Sequence, residues 1–179
     1  TPVKSGERYF YVWSHRKNIG TPLDTGSMLM IAEFDPVHPE RLISEPKCLS
    51  RPLYGFENTE HTINNEGPYA FYYHNKIYLA YSGGDARGYL YAIGMLTAND
   101  GDDLCDLSVW EKAKTPIASF ATIPGEYGPG HNSFFWDRDQ NLWIAYHAVT
   151  SFEEKIVSSG MRRVYFEQDK TPRFDVIVE

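Results

Sequence analysis

Short segments rich in aromatic and β-branched residues recur along the whole chain, and most of them are bounded by Gly, Asn, Asp or Pro. This pattern is typical of short strands joined by tight turns. No segment keeps a helical period over three turns, and residues 98–110 predict one helical turn at most. The predicted fold class is therefore all-β, with strands over residues 8–14, 27–34, 68–74, 76–82, 88–96, 132–137, 141–147 and 162–168.

One strand pattern occurs three times. The segments RYFYVWS, KIYLAYS and NLWIAYH begin at residues 8, 76 and 141, so the copies are 68 and 65 residues apart. Sheet-forming units that recur at a nearly fixed spacing are the signature of a β-propeller, because each unit buries its faces only against its neighbours. A closed ring needs at least about four blades of about four strands each. We therefore expect residues 1–179 to form about three blades of a larger propeller whose N-terminal blades lie outside this chain.

Two polar residues occupy equivalent places in successive repeats. Glu66, in NNEGPYAF, lies ten residues before Lys76, and His131, in YGPGHNSFF, lies ten residues before Asn141. Both places mark the entry to the innermost strand of a blade, which lines the central channel of a propeller. The two side chains should therefore converge on one funnel, with a solvated turn carboxylate as the alternative for Glu66. The same count puts the matching residue of the first repeat about two positions before Thr1, so we expect it outside this chain.

Charge and cysteine content exclude several classes of function. The chain is 42% hydrophobic with a net charge of −7, which gives no basic surface for a nucleic acid. No stretch approaches the roughly 18 apolar residues of a membrane helix, so we expect no membrane partner. Cys48 and Cys105 lack the spacing of a metal cluster or a redox pair. The aspartates between residues 100 and 106 depart from the EF-hand spacing, so we interpret them as a solvated loop.

The chain resembles glycoside hydrolase family 43, the five-bladed propeller enzymes that act on arabinofuranosides and xylosides. The resemblance covers about residues 4–174 and rests most on the Asn-Glu-Gly-Pro and Gly-Pro-Gly-His-Asn motifs in this order and separation. It is carried by NNEGPYAFYYHNKIYLAYS, IGMLTANDGDDLCDLSVW, YGPGHNSFFWDRDQNLWIAYHA and QDKTPRF.

The resemblance implies an inverting hydrolase with three carboxylates. Only one of them maps onto this chain, the general acid, at Glu66 in the Asn-Glu-Gly-Pro motif. The aspartate that acts as base and the aspartate that tunes the pKa of the acid are expected outside residues 1–179. The acid must protonate the leaving oxygen while a carboxylate about 6.5–9.5 Å away activates water on the opposite face of the sugar. We therefore expect residues 1–179 to be inactive without the N-terminal blades.

Three further residues gain roles from the same resemblance. His131 is similar to a channel-floor histidine that holds calcium or sodium, mostly through waters, or that orients the acid; a hydrogen-bonded loop histidine is the alternative reading. One imidazole cannot by itself make a calcium site, which takes six to eight oxygens. Arg162 or Arg163 resembles a last-blade arginine that reaches the sugar, and a solvated strand arginine is the alternative.

The segment MLTANDGDDLCDLSVW is similar to arabinofuranosidase members of the family and favours terminal arabinofuranose over xylose. The expected partners are an arabinose- or xylose-containing oligosaccharide and the N-terminal part of the propeller, supplied as a separate chain or replaced by self-association. A β-xylosidase, an inactive carbohydrate-binding propeller and a purely structural β-domain remain alternatives. The opening residues, TPVKSGERYF, do not resemble a signal peptide. They leave the compartment open, and we favour a secreted or periplasmic location over a cytoplasmic one.

Overall fold

The computed structural model describes residues 1–151, 153 and 156–176. Its first sheet is antiparallel and keeps the order of the chain: β1 (Pro2–Ser5), β2 (Arg8–His15), β3 (Met28–Glu33) and β4 (Lys47–Ser50). Side chains alternate between the two faces of this sheet, so that Phe10, Val12, Leu29 and Ile31 are buried on one of them.

A second antiparallel sheet follows. A 3-10 helix (Gly55–Glu57) and a small hairpin, β5 (Asn58–Thr59) with β6 (Thr62–Ile63), lead into it. His74 and Asn75 join its first two strands with φ values of 47° and 62°, as tight hairpin turns require. The sheet contains, in spatial and chain order, β7 (Asn65–Tyr73), β8 (Lys76–Gly83), β9 (Ala92–Asn99) and β10 (Glu111–Lys112).

The helical turn predicted within residues 98–110 is present as a 3-10 helix, Leu107–Val109. Asp106 caps it by accepting a hydrogen bond from the backbone N–H of Ser108. Within the described residues, no helix is long and apolar enough to cross a membrane.

The third sheet contains β11 (Tyr127–Trp136), β12 (Leu142–Ser151) and β13 (Ile156–Arg163), and a hairpin of β14 (Tyr165–Phe166) with β15 (Pro172–Arg173) follows it. The single strand predicted over residues 162–168 is wrong, because β13 begins at Ile156, six residues before the predicted start, and ends at Arg163. The segment IVSSGM is interrupted by Ser158, Ser159 and Gly160, which lack the β-branched or aromatic side chains typical of strands, but β12 pairs with it along its whole length. Val164 lies between β13 and the terminal hairpin, and its side chain is buried in the core.

The middle sheet is buried on both faces. Along β8, Ile77, Leu79 and Tyr81 pack into a core shared with the first sheet, whereas Tyr78 and Ala80 pack into a core shared with the third. Because successive residues of a strand point to opposite faces, one continuous apolar strand serves both cores. Three sheets stacked in this way confirm the all-β prediction and form the partial propeller.

The strands β7 and β11 are longer at their N-terminal ends than the sequence predicted. They begin at Asn65 and Tyr127, so Glu66 and His131 lie inside strands and not at the turns before them. Gly and Pro are usually poor strand residues, but here the pairing shifts register between Glu66 and Tyr69, and again on both sides of Gly130. These β-bulges accommodate the Gly-Pro segments within the strands and change the direction of the neighbouring side chains.

Candidate active site

Glu66 lies near the start of β7, opposite Ser82 of β8 and directly before the bulge. The strand β7 is the edge strand of the middle sheet, and it contacts both β2 of the first sheet and β11 of the third. This position makes β7 the strand on which the three sheets meet. Glu66 is partly exposed, and the Tyr91 hydroxyl donates a hydrogen bond of 2.8 Å to its Oε1.

At the bulge, His131 of the neighbouring sheet lies against Gly67, the residue that follows Glu66. Gly67 has a φ of 56°, and a Cβ placed on it would stand 3.4 Å from Nδ1 of His131. His131 itself has a positive φ of 51°, and its backbone N–H donates to Ser82 Oγ at 2.8 Å. The structure therefore brings together the two residues that the repeat spacing predicted to converge.

Three aromatic rings lie in a row beside Glu66. Tyr91 and His147 stack with ring centroids 5.6 Å apart and planes 7° apart, and His147 and His131 follow at 6.3 Å and 16°. The ring of Tyr91 also covers Gly130, where a Cβ would stand 2.0 Å from it, so only glycine fits at that position. The row gives the candidate site one wall built from two sheets.

Burial sets the charge of two of these rings. Burial raises the pKa of Tyr91 well above its usual range. A hydrogen bond with Ser82 lowers this pKa, and the negative charge of Glu66 raises it further. Tyr91 therefore keeps its proton and acts as a donor. Burial also lowers the pKa of His147, as does positive charge on His131, while a hydrogen bond with the backbone of Ala86 and the charge of Glu66 oppose this shift. The lowered pKa favours the neutral form of His147 near neutral pH.

The last positions of the three repeated segments all reach the site, which the sequence pattern did not predict. Ser14 Oγ accepts a hydrogen bond of 3.3 Å from the Gly67 N–H, Ser82 binds the backbone of His131, and His147 is the middle ring of the row. The repeat itself could have indicated them, because Ser14, Ser82 and His147 align at one position. Tyr91 had no such signal, since it lies outside the repeated segment.

A buried polar network lies behind Glu66. The Glu57 carboxylate is fully buried and pairs with Lys112 Nζ at 2.5 Å. Its Oε1 also accepts hydrogen bonds from Tyr81 Oη at 2.7 Å and from Asn65 Nδ2 at 2.9 Å. Burial lowers the pKa of Lys112, while Glu57 acts in the opposite direction. Because Asn65 directly precedes Glu66, this network anchors the start of β7.

The two arginines predicted to contact sugar lie on β13, which β12 separates from β11. Arg162 donates to Tyr146 Oη and to Glu126 Oε1, both at 2.8 Å, and the guanidinium of Arg163 lies over the ring of Tyr165. Both arginines line a cavity of about 570 Å³. The structure thus places them away from the Glu66–His131 pair, and their contact with sugar stays a prediction for the complete propeller.

The metal expected at the channel centre does not fit the described residues alone. None of them form a cluster of three or more His, Cys, Asp and Glu side chains that could hold a metal ion. Calcium and sodium favour oxygen ligands, whereas His131 offers an imidazole and one oxygen of Glu66 already accepts from Tyr91.

The aspartates of the loop after β9 make the contacts expected of loop residues. Asp100 and Asp106 accept backbone hydrogen bonds, and Asp103 pairs with Arg8.

Comparison with known proteins identifies the family. The sequence model of Glycosyl hydrolases family 43 matches residues 3–172. An extracellular exo-α-(1→5)-L-arabinofuranosidase from Streptomyces avermitilis is 28% identical over 186 residues, which cover 99% of this chain and 37% of that protein. A protein of the same name from Streptomyces chartreusis is 34% identical over 144 residues, which cover 80% of this chain and 42% of that protein.

A solved structure agrees with these sequence matches. The crystal structure of α-L-arabinofuranosidase from Lactobacillus brevis is similar with a TM-score of 0.82 and 28% identity, over 97% of this chain and 54% of that one. The chain thus spans 37% and 42% of the length of the two Streptomyces relatives, and about half of the solved one. With the family model matching nearly all of its residues, the chain belongs to the glycosyl hydrolases of family 43.

Proposed function

We propose that this chain supplies the general acid of an inverting glycosidase that releases terminal arabinofuranose, and that it acts together with the blades that complete its propeller. Glu66 is the acid in this proposal. The observation that carries it is the place of Glu66 on β7 and of His131 on β11, the inner strands of two sheets, together with the hydroxyl of Tyr91, which lies just before β9 and 2.8 Å from the carboxyl group.

The contact with Tyr91 sets the direction of the proton transfer. Since the Tyr91 hydroxyl keeps its proton, it donates to Oε1 of Glu66. In this proposal Oε2, the oxygen that does not accept from Tyr91, carries the transferable proton of Glu66 and faces the leaving oxygen of the substrate. A fixed donor at one carboxyl oxygen thus orients the other, as general acid catalysis requires.

The second carboxylate of the reaction must come from the other blades. Glu57 is the carboxylate behind the same strand, but it is fully buried and paired with Lys112, so it cannot activate a water beside the sugar. An inverting mechanism needs its base about 6.5–9.5 Å from the acid, across the sugar. We therefore assign the base to a blade on the far side of the channel.

The two end faces of the stack are the surfaces on which the remaining blades would pack. On the first sheet, Trp13 and Met30 are partly exposed on the face that points away from the core. On the third sheet, Phe135 is 43% exposed and Met161 is 67% exposed. Large apolar side chains on both end faces are expected where a neighbouring blade belongs.

The names of the relatives favour arabinofuranose as the sugar released. Both Streptomyces proteins and the Lactobacillus brevis structure carry arabinofuranosidase names, whereas a xylan β-1,4-xylosidase structure resembles this chain at only 14% identity. Because the Streptomyces relatives are named extracellular, we also favour a secreted protein over a cytoplasmic one.

The test is hydrolysis of an α-1,5-linked arabinotriose by the complete propeller, followed by proton NMR from the first seconds. The proposal predicts that arabinose is released as the β-anomer and only later equilibrates. Release of the α-anomer would contradict inversion. Binding of the trisaccharide without hydrolysis would favour the alternative, an inactive carbohydrate-binding propeller.

A further inference from the structure

We propose that Phe120, Tyr89 and Tyr127, here called the rim aromatics, bind the second and third sugars of a neutral pentose chain whose terminal sugar lies at Glu66. This inference rests on the proposed function and extends it to substrate length. The centroid of the Tyr89 ring lies 5.6 Å from that of Phe120 and 5.9 Å from that of Tyr127. The three rings thus form one cluster.

The rim aromatics lie at the same end of the channel as Glu66. Glu66 is near the N-terminal end of β7, and Tyr127 is the N-terminal residue of β11, the strand that contacts β7. The Gly128 N–H donates to the Tyr89 carbonyl at 2.9 Å, and two residues further along both segments Tyr91 covers Gly130. Residues two positions apart along a chain are separated by at most about 7 Å. Tyr89 therefore lies within about one sugar ring of Tyr91, which contacts Glu66.

The cluster is open to solvent and held by a rigid backbone. Phe120 is 42% exposed and Tyr89 is 41% exposed. Phe120 lies at the tip of a turn in which the Thr122 and Ile123 N–H groups both donate to the Ser119 carbonyl at 3.0 Å. Buried Ala118 and Ile123 anchor this turn on its two sides. An exposed aromatic on such a turn is presented with little conformational entropy left to lose on binding.

The rings are tilted and not coplanar, which suits a bent chain of small sugars. Tyr89 makes interplanar angles of 57° with Phe120 and 73° with Tyr127. The tilted rings present faces in two orientations, and the C–H faces of successive pentoses can pack on them. Burial of these C–H groups against aromatic carbon is favourable. The cluster lies on the seam between the second and third sheets, so the blades that pack on the end faces do not cover it.

The test compares two substrates on the complete propeller, an aryl α-L-arabinofuranoside and the α-1,5-linked arabinotriose. The aryl substrate has only the terminal sugar, whereas the trisaccharide also reaches the rim. We expect Phe120→Ala to lower kcat/KM on the trisaccharide about 5- to 10-fold and to leave the aryl substrate within about 2-fold. Phe120→Trp should restore activity on the trisaccharide.

Trp136→Ala is the matched control, because Trp136 is 47% exposed at the opposite end of β11 and should affect neither substrate. Equal losses on both substrates, or no loss on either, would overturn the inference. If the parent protein cleaves neither substrate, the proposed function has failed, and titration of the trisaccharide then decides the role of the rim aromatics. Equal affinity of the parent and Phe120→Ala, or no binding to the parent, would overturn it.

Discussion

Gly67 and His131 lie against each other across the boundary between two sheets, so that a Cβ on Gly67 would be in van der Waals contact with the imidazole. Gly67 follows Glu66, and His131 is the third ring of the Tyr91–His147–His131 row. The contact therefore ties the backbone beside the proposed acid to the wall of the site.

Gly67→Ala should lower turnover more than its effect on stability explains. A non-glycine residue in the left-handed region costs about 1–2 kcal/mol. A backbone shift that relieves this strain would move Glu66, the preceding residue, and change the contact with His131. Gly20→Ala is the control, because Gly20 has a φ of 76° with no atom within 4 Å of its Cβ position. Both variants should lose similar thermal stability, and only Gly67→Ala should lose kcat. Equal kcat values for the two variants would count against a role for the contact.

Lys112→Met should strongly destabilise the fold. It leaves the fully buried Glu57 carboxylate without its counter-charge, which typically costs about 3–5 kcal/mol. Adding Glu57→Gln to Lys112→Met removes the charge and should recover much of the loss in denaturant unfolding. Arg16→Met, which breaks the exposed pair with Asp24, should have a much smaller effect. A double variant as unstable as Lys112→Met alone would refute the charge argument.

Acidification should weaken the fold through His147. Its folded pKa is lowered below 6.5, so the unfolded chain binds the proton more readily and stability falls as the pH drops below about 6.5. The loss continues down to the folded pKa and is constant below it. His147→Gln should show a shallower decline between pH 7 and 5 in chemical unfolding. Parallel curves for the parent and the variant would show that His147 does not contribute.

The repeat spacing predicted the sheets and the meeting of Glu66 with His131, because both depend on regular patterns within each blade. It did not predict the full length of β7 and β11, since the added segments, NEG and YGPGH, contain Gly and Pro, which strands usually avoid and which bulges accommodate here. Nor could it find Tyr91, whose contact with Glu66 joins residues 25 positions apart through tertiary packing. The start of β13 was missed because Ser158, Ser159 and Gly160 interrupt its strand pattern, whereas pairing with β12 holds the whole segment in the sheet.

The isolated chain should self-associate. The exposed apolar residues on both end faces and the outer edge of β13 are sites at which other sheets can pair or pack. Light scattering should show oligomers whose size grows with concentration, and the combined Trp13→Lys and Met161→Lys changes should reduce them. A stable monomer over the same concentrations would contradict the assignment of these faces as blade interfaces.

The most direct test of the central claim is Glu66→Gln in the complete propeller, measured on two substrates. Glutamine keeps the shape of the side chain but cannot donate the proton, so kcat on the α-1,5-linked trisaccharide should fall about 10²- to 10⁴-fold. An aryl arabinofuranoside, whose leaving group departs as a stable anion, needs little protonation and should lose far less. An equal loss on the two substrates would show that Glu66 positions the sugar or supports the fold, and the assignment as general acid would be wrong.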